Sequence, residues 1–313
     1  MKGFLLQGKN LSRLRGRLKS ALLVRIAVYL LLVDLAFVFA YPFLYMMVTS
    51  LKSPQDVRDI TVNWLPSGLH WNNYRLSFSL LGYPSALART VLVVGGCTLG
   101  HLFSCSFVGY GFARFSFRGK SLFFLLLLLS IIVPVQTIIV PEYIFFSGAG
   151  FLGTYLPMMV PSWLGFGLSG GLFIFIFRLF YISLPRSLEE AAGIDGCGAV
   201  STFFRIALPA SRSSVMVCLV LSLVWHWNDY FEPLIYITQQ KKYLLPMLLP
   251  GLYRIMGGMQ DASLSGGDAL GDIYTEAVAM AATFLVVLPL LIAYLFLQKK
   301  FVQGVERSGI TGE

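Results

Sequence analysis

The chain has 313 residues, carries 24 Lys and Arg against 15 Asp and Glu for a net charge of +9, and is 57% hydrophobic with 12% charged. Soluble domains run nearer 45–50% apolar and about 25% charged, so this composition excludes a water-soluble globule, and with it a disordered, collagen-like or low-complexity chain. Cys97, Cys105, Cys197 and Cys218 lack C-x-x-C or Cys/His ligand spacing, which leaves neither a disulfide scaffold nor a zinc site.

The first 20 residues hold six Lys and Arg and no acid, with Leu5, Leu11, Leu14 and Leu18 among the charges. That pattern suits an amphipathic segment on an anionic leaflet, or equally a solvated tail. The apolar run that follows is too long for a signal peptide and no small-residue cleavage site closes it, so a retained first span is expected. A bilayer core needs about 20 consecutive apolar residues per helix. Six stretches supply them: Ile26–Val48, Thr90–Ala113, Ser121–Val140, Tyr155–Phe177, Val215–Ile237 and Ala277–Leu297. The second, third, fourth and sixth contain no Asp, Glu, Lys or Arg.

Orientation follows the distribution of Lys and Arg. With a cytoplasmic N-terminus, sixteen basic residues lie inside and seven (Lys52, Arg58, Arg75, Arg89, Lys241, Lys242, Arg254) outside. Both termini and the 178–213 loop are therefore expected on the cytoplasmic side. Gly96-x-x-x-Gly100 and Gly167-x-x-x-Gly171 allow close helix approach, and Pro134 and Pro289 invite local bends.

The longest cytoplasmic connection runs from Leu184 to Pro209. Ser187, three residues before Glu190, fits a capping box, and Glu189 and Glu190 complement the helix dipole. A stop is expected near Gly196 and Gly198, followed by a second short helix with Phe203, Phe204 and Ile206 on an apolar face, broken by Pro209. The product is a helix-turn-helix ledge suited to docking in a partner's groove. A loop packed only on its own bundle is the other reading of these residues.

Glu190-Ala191-Ala192, Gly196, Ile206, Leu208 and Pro209 match, without a gap, the pattern E-A-A-x3-G-x9-I-x-L-P. In this the chain resembles the permeases of binding-protein-dependent ABC importers. Thr49–Lys52, Trp64-Leu-Pro with Asn73-Tyr74, Tyr110–Lys120, Val133-Pro134 leading to Pro141, Trp227–Asp229 with Pro233-Leu234, and Gln298–Gly304 extend the likeness over most of the chain and toward the carbohydrate, maltose-type branch. The resemblance implies an all-α membrane protein of six transmembrane helices with the type I importer permease fold. It further implies a basic segment 1–20, a permease domain 21–303 containing a coupling loop 184–210, and a cytoplasmic tail 304–313. Such a permease sits in the inner or plasma membrane, is not an enzyme and binds no cofactor. A homologous second permease, a cytoplasmic ATPase dimer that uses ATP and Mg, an extracytoplasmic solute-binding protein, a carbohydrate substrate and membrane lipid are its implied partners, and nucleic acid is not. No Walker-type phosphate loop occurs in the chain.

By the same resemblance the ATPase-coupling residues are Glu189, Glu190, Ala191, Ala192, Asp195, Gly196, Ile206, Leu208 and Pro209. Glu190 would pair with a basic group of the ATPase, the two alanines allow close approach, Gly196 makes the turn and Leu208-Pro209 end the ledge. Cys197, where Ala is usual, and Arg212, close to where a second Pro often follows, depart from the pattern.

Trp225, Trp227, Asn228, Asp229 and Glu232 in the fifth span combine rings and hydrogen-bonding groups, which suits either a sugar-lined pathway or an interfacial belt. Asp34 requires a pairing helix or a watery cavity, and His101 reads as a packing residue. The Gly-, Ser- and Asp-rich outer loop holds Gly257, Gly258, Gln260 and Asp261, which the resemblance makes contacts for the binding protein and composition alone makes a connector. A proton-coupled secondary transporter or a lipid-linked transferase would need clustered buried acids, and only Asp229 and Glu232 come close.

Overall fold

A computed structural model of the chain describes residues 2–59, 61, 64–254 and 275–310, with side chains between 22 and 302 of those ranges. No strand occurs among them. The first helix, α1 (Lys2–Ser50), runs unbroken through the basic segment and the first span. Two short helices, α2 (Pro54–Arg58) and α3 (Asn72–Leu80), lead to α4 (Tyr83–Arg114). The chain continues through α5 (Lys120–Ile132), α6 (Val135–Gly148), α7 (Leu156–Trp163) and α8 (Gly170–Ser183). Then come α9 (Ser187–Ile194), α10 (Ala199–Thr202), a π-helical turn Phe203–Ala207, α11 (Leu208–Ala210), α12 (Arg212–Asn228) and α13 (Phe231–Tyr236). The last helix, α14 (Glu276–Ile310), contains Pro289 without interruption.

Three helices, α1, α4 and α14, are long and apolar enough to cross a bilayer, and three bent helix pairs raise the number of spans to six. Spans three, four and five are not the continuous helices their hydropathy predicts. The third breaks at Val133-Pro134, where α5 and α6 diverge by 105°. Proline has no amide hydrogen for the helical ladder and disfavours a helical residue before it, and Val133 is indeed extended at ψ 119°. The fourth is cut between α7 and α8 by a turn in which Gly165, Gly167 and Ser169 all take positive φ. The fifth is cut at Asp229-Tyr230, between α12 and α13. Hydropathy registers apolar content and is blind to these breaks.

Helix α4 lies at the centre, packed on α7, α8 and α12, while α14 joins α12 to α1 and α3. A Cβ added at Gly100 would stand 2.7 Å from Trp163 Cδ1 and 3.0 Å from the Trp163 backbone nitrogen, so the Gly96–Gly100 pair does permit the close approach of α4 and α7. Gly167, at φ +85°, serves a turn instead of a helix contact. Asn73 Nδ2 donates to the carbonyls of Ser50 and Lys52, both at 2.9 Å, tying α3 to the end of α1. Asp34 lies on the exposed face of α1.

Candidate functional site

The ledge departs from the bundle at both of its roots. Helix α9 turns 77° from α8, and the segment Ala199–Ala210 turns 77° from α12. Between them Gly196 takes φ +80°, Gly196 N donates to Gly193 O at 3.1 Å and Cys197 N to Ala192 O at 2.8 Å. These two bonds are the pair that closes a helix through a left-handed residue, a conformation glycine adopts without a Cβ penalty. Gly198, in contrast, is extended and precedes α10.

Two local expectations are corrected. Ser187 lies inside α9 and does not cap it, since Arg186 occupies the cap position with no side-chain bond. The turn is held instead by Arg114, whose Nε donates to Glu189 Oε1 at 2.7 Å and whose Nη2 donates to Leu184 O at 2.7 Å. Pro209 does not break the second helix, which continues to Ala210. The preceding turn widens into a π-helix, and Leu208 N reaches back to Phe203 O, so the missing proline amide is absorbed by a local change of pitch.

The ledge shows two faces. Phe203 and Ala207 are buried with Tyr110, Phe177, Tyr181 and Cys218, and Ala192 is buried as well. Outward stand Glu190, Ala191, Asp195, Gly196, Val200 and Ile194, the last 87% exposed. Glu189 turns inward to Arg114 while its neighbour Glu190 is free to face a partner. Ile206 is half-buried, and Leu208 and Pro209 line a groove at the ledge root with Arg212 and Lys300.

Of the fifth-span residues, Trp225, Asn228 and Asp229 line a shallow pocket with Leu168 and Ser169, and Trp227 and Glu232 lie elsewhere. Trp227 is buried against α14, its Nε1 donating to Val286 O at 3.2 Å, and Trp225 stacks on Phe173 at 5.5 Å. Asn228 Nδ2 donates to Val224 O, and Asp229 Oδ1 accepts from the amides of Phe231 and Glu232, so Asp229 caps α13. Glu232 takes a different course. It lines a cavity of about 440 Å³ with Glu142, Phe146, Phe166 and Tyr236, at the place where the broken third, fourth and fifth spans meet. Tyr236 Oη donates to Glu142 Oε2 at 3.2 Å. Sequence reasoning passed over Glu142, and its signal was an acid just beyond an uncharged apolar run and beside Pro141. Behind the cavity, His101 Nε2 lies 2.9 Å from Phe166 O and its ring faces that of His226 at 5.1 Å. Gly257, Gly258, Gln260 and Asp261 lie outside the described residues.

A helical bundle with broken spans and a projecting ledge defines a polytopic membrane transport component. Residues 106–307 match the family described as the binding-protein-dependent transport system inner membrane component, and the chain belongs to that family. It is 26% identical to the arabinooligosaccharides transport system permease protein AraQ of Bacillus subtilis (strain 168), over 92% of this chain and 96% of that protein. It is 25% identical to the polygalacturonan/rhamnogalacturonan transport system permease protein YtcP of the same organism, over 91% and 97%. A bacterial ABC transporter involved in the import of the acidic polysaccharide alginate has a chain of the same fold, with a TM-score of 0.73 at 20% identity, covering 88% of this chain and 95% of that one.

Proposed function

We propose that this chain is one of two permease subunits of an importer that moves a carbohydrate across the membrane, with ATP hydrolysis supplied by a cytoplasmic ATPase dimer and substrate delivered by a solute-binding protein outside. The observation that carries the reading is the ledge. Its outward residues, Glu190, Ile194 and Val200, combine a free carboxylate with uncovered apolar side chains on a short, closed turn, which suits insertion into a cleft. Its inward residues are locked to α4 and α8, so force applied at the ledge is passed to the spans and not lost in a floppy loop.

The distribution of basic residues supports a cytoplasmic ledge and cytoplasmic termini. In this arrangement α8 runs from the ledge root at Ser183 toward the opposite side of the membrane and ends at Gly170, in the cavity wall. Closure of the ATPase dimer would tilt α9 and, through α8, reshape the cavity. The binding protein would dock on the outer loops.

The test is co-purification with candidate ATPases from the same cell, followed by ATP turnover in lipid with saccharide-loaded binding protein. Wild type should retain the ATPase, and Glu190→Lys and Gly196→Asp should each abolish or uncouple hydrolysis. Normal transport by both variants with no ATPase ever associated would overturn the reading.

A further inference from the structure

The relatives' names divide between neutral and acidic saccharides, and the cavity chooses between them. We infer that the space enclosed by Glu142, Phe146, Phe166, Glu232 and Tyr236 is a saccharide subsite for uncharged glycosides that turns away uronates; this rests on the carbohydrate reading above.

At about 440 Å³ the cavity falls within the roughly 300–1,000 Å³ typical of small-molecule sites. It is formed where three spans are broken, the positions at which irregular backbone at membrane depth is tolerated because it lines a cavity. Glu232 is only 8% exposed, and its carboxylate accepts no hydrogen bond among the described residues. A buried, unpartnered carboxylate facing open space is costly unless something supplies donors to it. Saccharide hydroxyls are such donors, and Tyr236 leaves Glu142 with acceptor capacity to spare, because only one bond to that carboxylate is made. The ring of Phe166, 52% exposed, gives the apolar face of a sugar a surface to lie on, and Phe146 and Tyr236 pack behind the wall.

The charge pattern sets the selectivity. Among the described residues the lining holds two carboxylates and no Lys or Arg. A uronate brought into this space gives up its hydration at membrane depth and finds no cation to replace it, a cost an uncharged glycoside does not meet. An uncharged ring of the same shape meets carboxyl groups and the hydroxyls of Ser130 and Ser169.

The experiment uses the assembled importer in lipid nanodiscs without its binding protein, so that the selectivity read is that of the membrane subunits. Binding of galactotriose, trigalacturonate and methyl-esterified trigalacturonate is measured by saturation-transfer NMR, within a wider panel of neutral tri- and tetrasaccharides. The esterified and free acids differ in charge and hardly in shape. Neutral members and the methyl ester are expected to bind, and the free acid to bind on the order of a hundredfold more weakly. Glu232→Arg, which supplies the missing cation, should narrow that gap. Free acid binding as tightly as its ester in wild type overturns the inference. The parallel uptake assay with binding protein separates the two levels. If no saccharide drives uptake, the carbohydrate reading falls and takes this inference with it. If saccharides are taken up and the subunits do not distinguish acid from ester, the reading stands and the inference alone fails.

Discussion

Arg114, the last residue of α4, and Glu189, in the first turn of α9, form an ion pair of 2.7 Å that joins the central helix to the ledge. The Arg114 side chain is 7% exposed and that of Glu189 22%. Breaking a buried pair from one side costs roughly 3–5 kcal/mol, and the partial exposure of Glu189 places the expected loss below that range. Arg114→Gln and Glu189→Gln should each lower coupled ATP turnover of the assembled importer. The double variant should be no worse than the poorer single one, with a coupling energy of about 0.5–3 kcal/mol. Strictly additive losses would show that the two residues act separately.

The α4–α7 contact leaves no room for a side chain at Gly100. Gly100→Leu should destabilise the protein by about 1–3 kcal/mol through overpacking, visible as a lower melting temperature in detergent. Gly111→Ala, on the same helix with no atom within 4 Å of an added Cβ, is the control and should cost far less. Equal losses at both positions would show that the close approach to α7 is not the cause, since replacing a glycine inside a helix raises helix propensity.

In the loop between α1 and α3, Asp56 accepts hydrogen bonds from Ser53 N at 3.1 Å, from Ser67 N at 3.2 Å and from Ser67 Oγ. The bond from the Ser67 hydroxyl, foremost, holds its carboxyl below the usual carboxylate range. A depressed folded-state value stabilises the loop above the unfolded value, near 3.9, and that stability is lost as pH falls through the folded value. Protection factors for the amides of residues 53–59, with the intrinsic pH dependence of exchange divided out, should therefore be flat from about pH 7 to 5 and fall only below about pH 4. Asp56→Asn should exchange faster throughout and lose the acid step. An acid step that survives in the variant would assign it to another group.

Three of the four cysteines, at 97, 105 and 218, are buried, and Cys197 at the ledge turn is partly accessible. A membrane-impermeant maleimide should therefore label the native chain at Cys197 from the cytoplasmic face only. Labelling in inverted vesicles and not in right-side-out cells is the expected result, removed by Cys197→Ala. The opposite sidedness would reverse the topology deduced from the positive charges.

How far the sequence could be read depended on the kind of force involved. The uninterrupted apolar helices α1, α4 and α14, and the left-handed turn at Gly196, follow from local composition and from the one residue without a Cβ, and both were legible. The bend at Pro134 was foreshadowed by the proline, but the break at Asp229 and the 164–169 turn were not legible, because a run such as Tyr155–Phe177 stays apolar whether or not its backbone is helical throughout. Ser187 misled for a related reason. Its capping pattern was real as a local preference, and a tertiary bond from Arg114, 75 residues away in the chain, decided where the helix begins. The cavity was least legible of all, since Glu142 and Glu232 lie on different spans and only the folded chain brings them to one wall.

Helix α8 has 14 residues and so spans roughly 21 Å, with the ledge at one end and the cavity wall at the other. Treated as a rigid lever pivoting at its ledge end, it converts a tilt of about 10° into a displacement of nearly 4 Å at the far end. That stroke is on the scale of a saccharide ring's thickness. A modest rotation imposed at one membrane face is thus geared into the difference between a space that holds a sugar and one that does not, with no helix needing to slide or unwind.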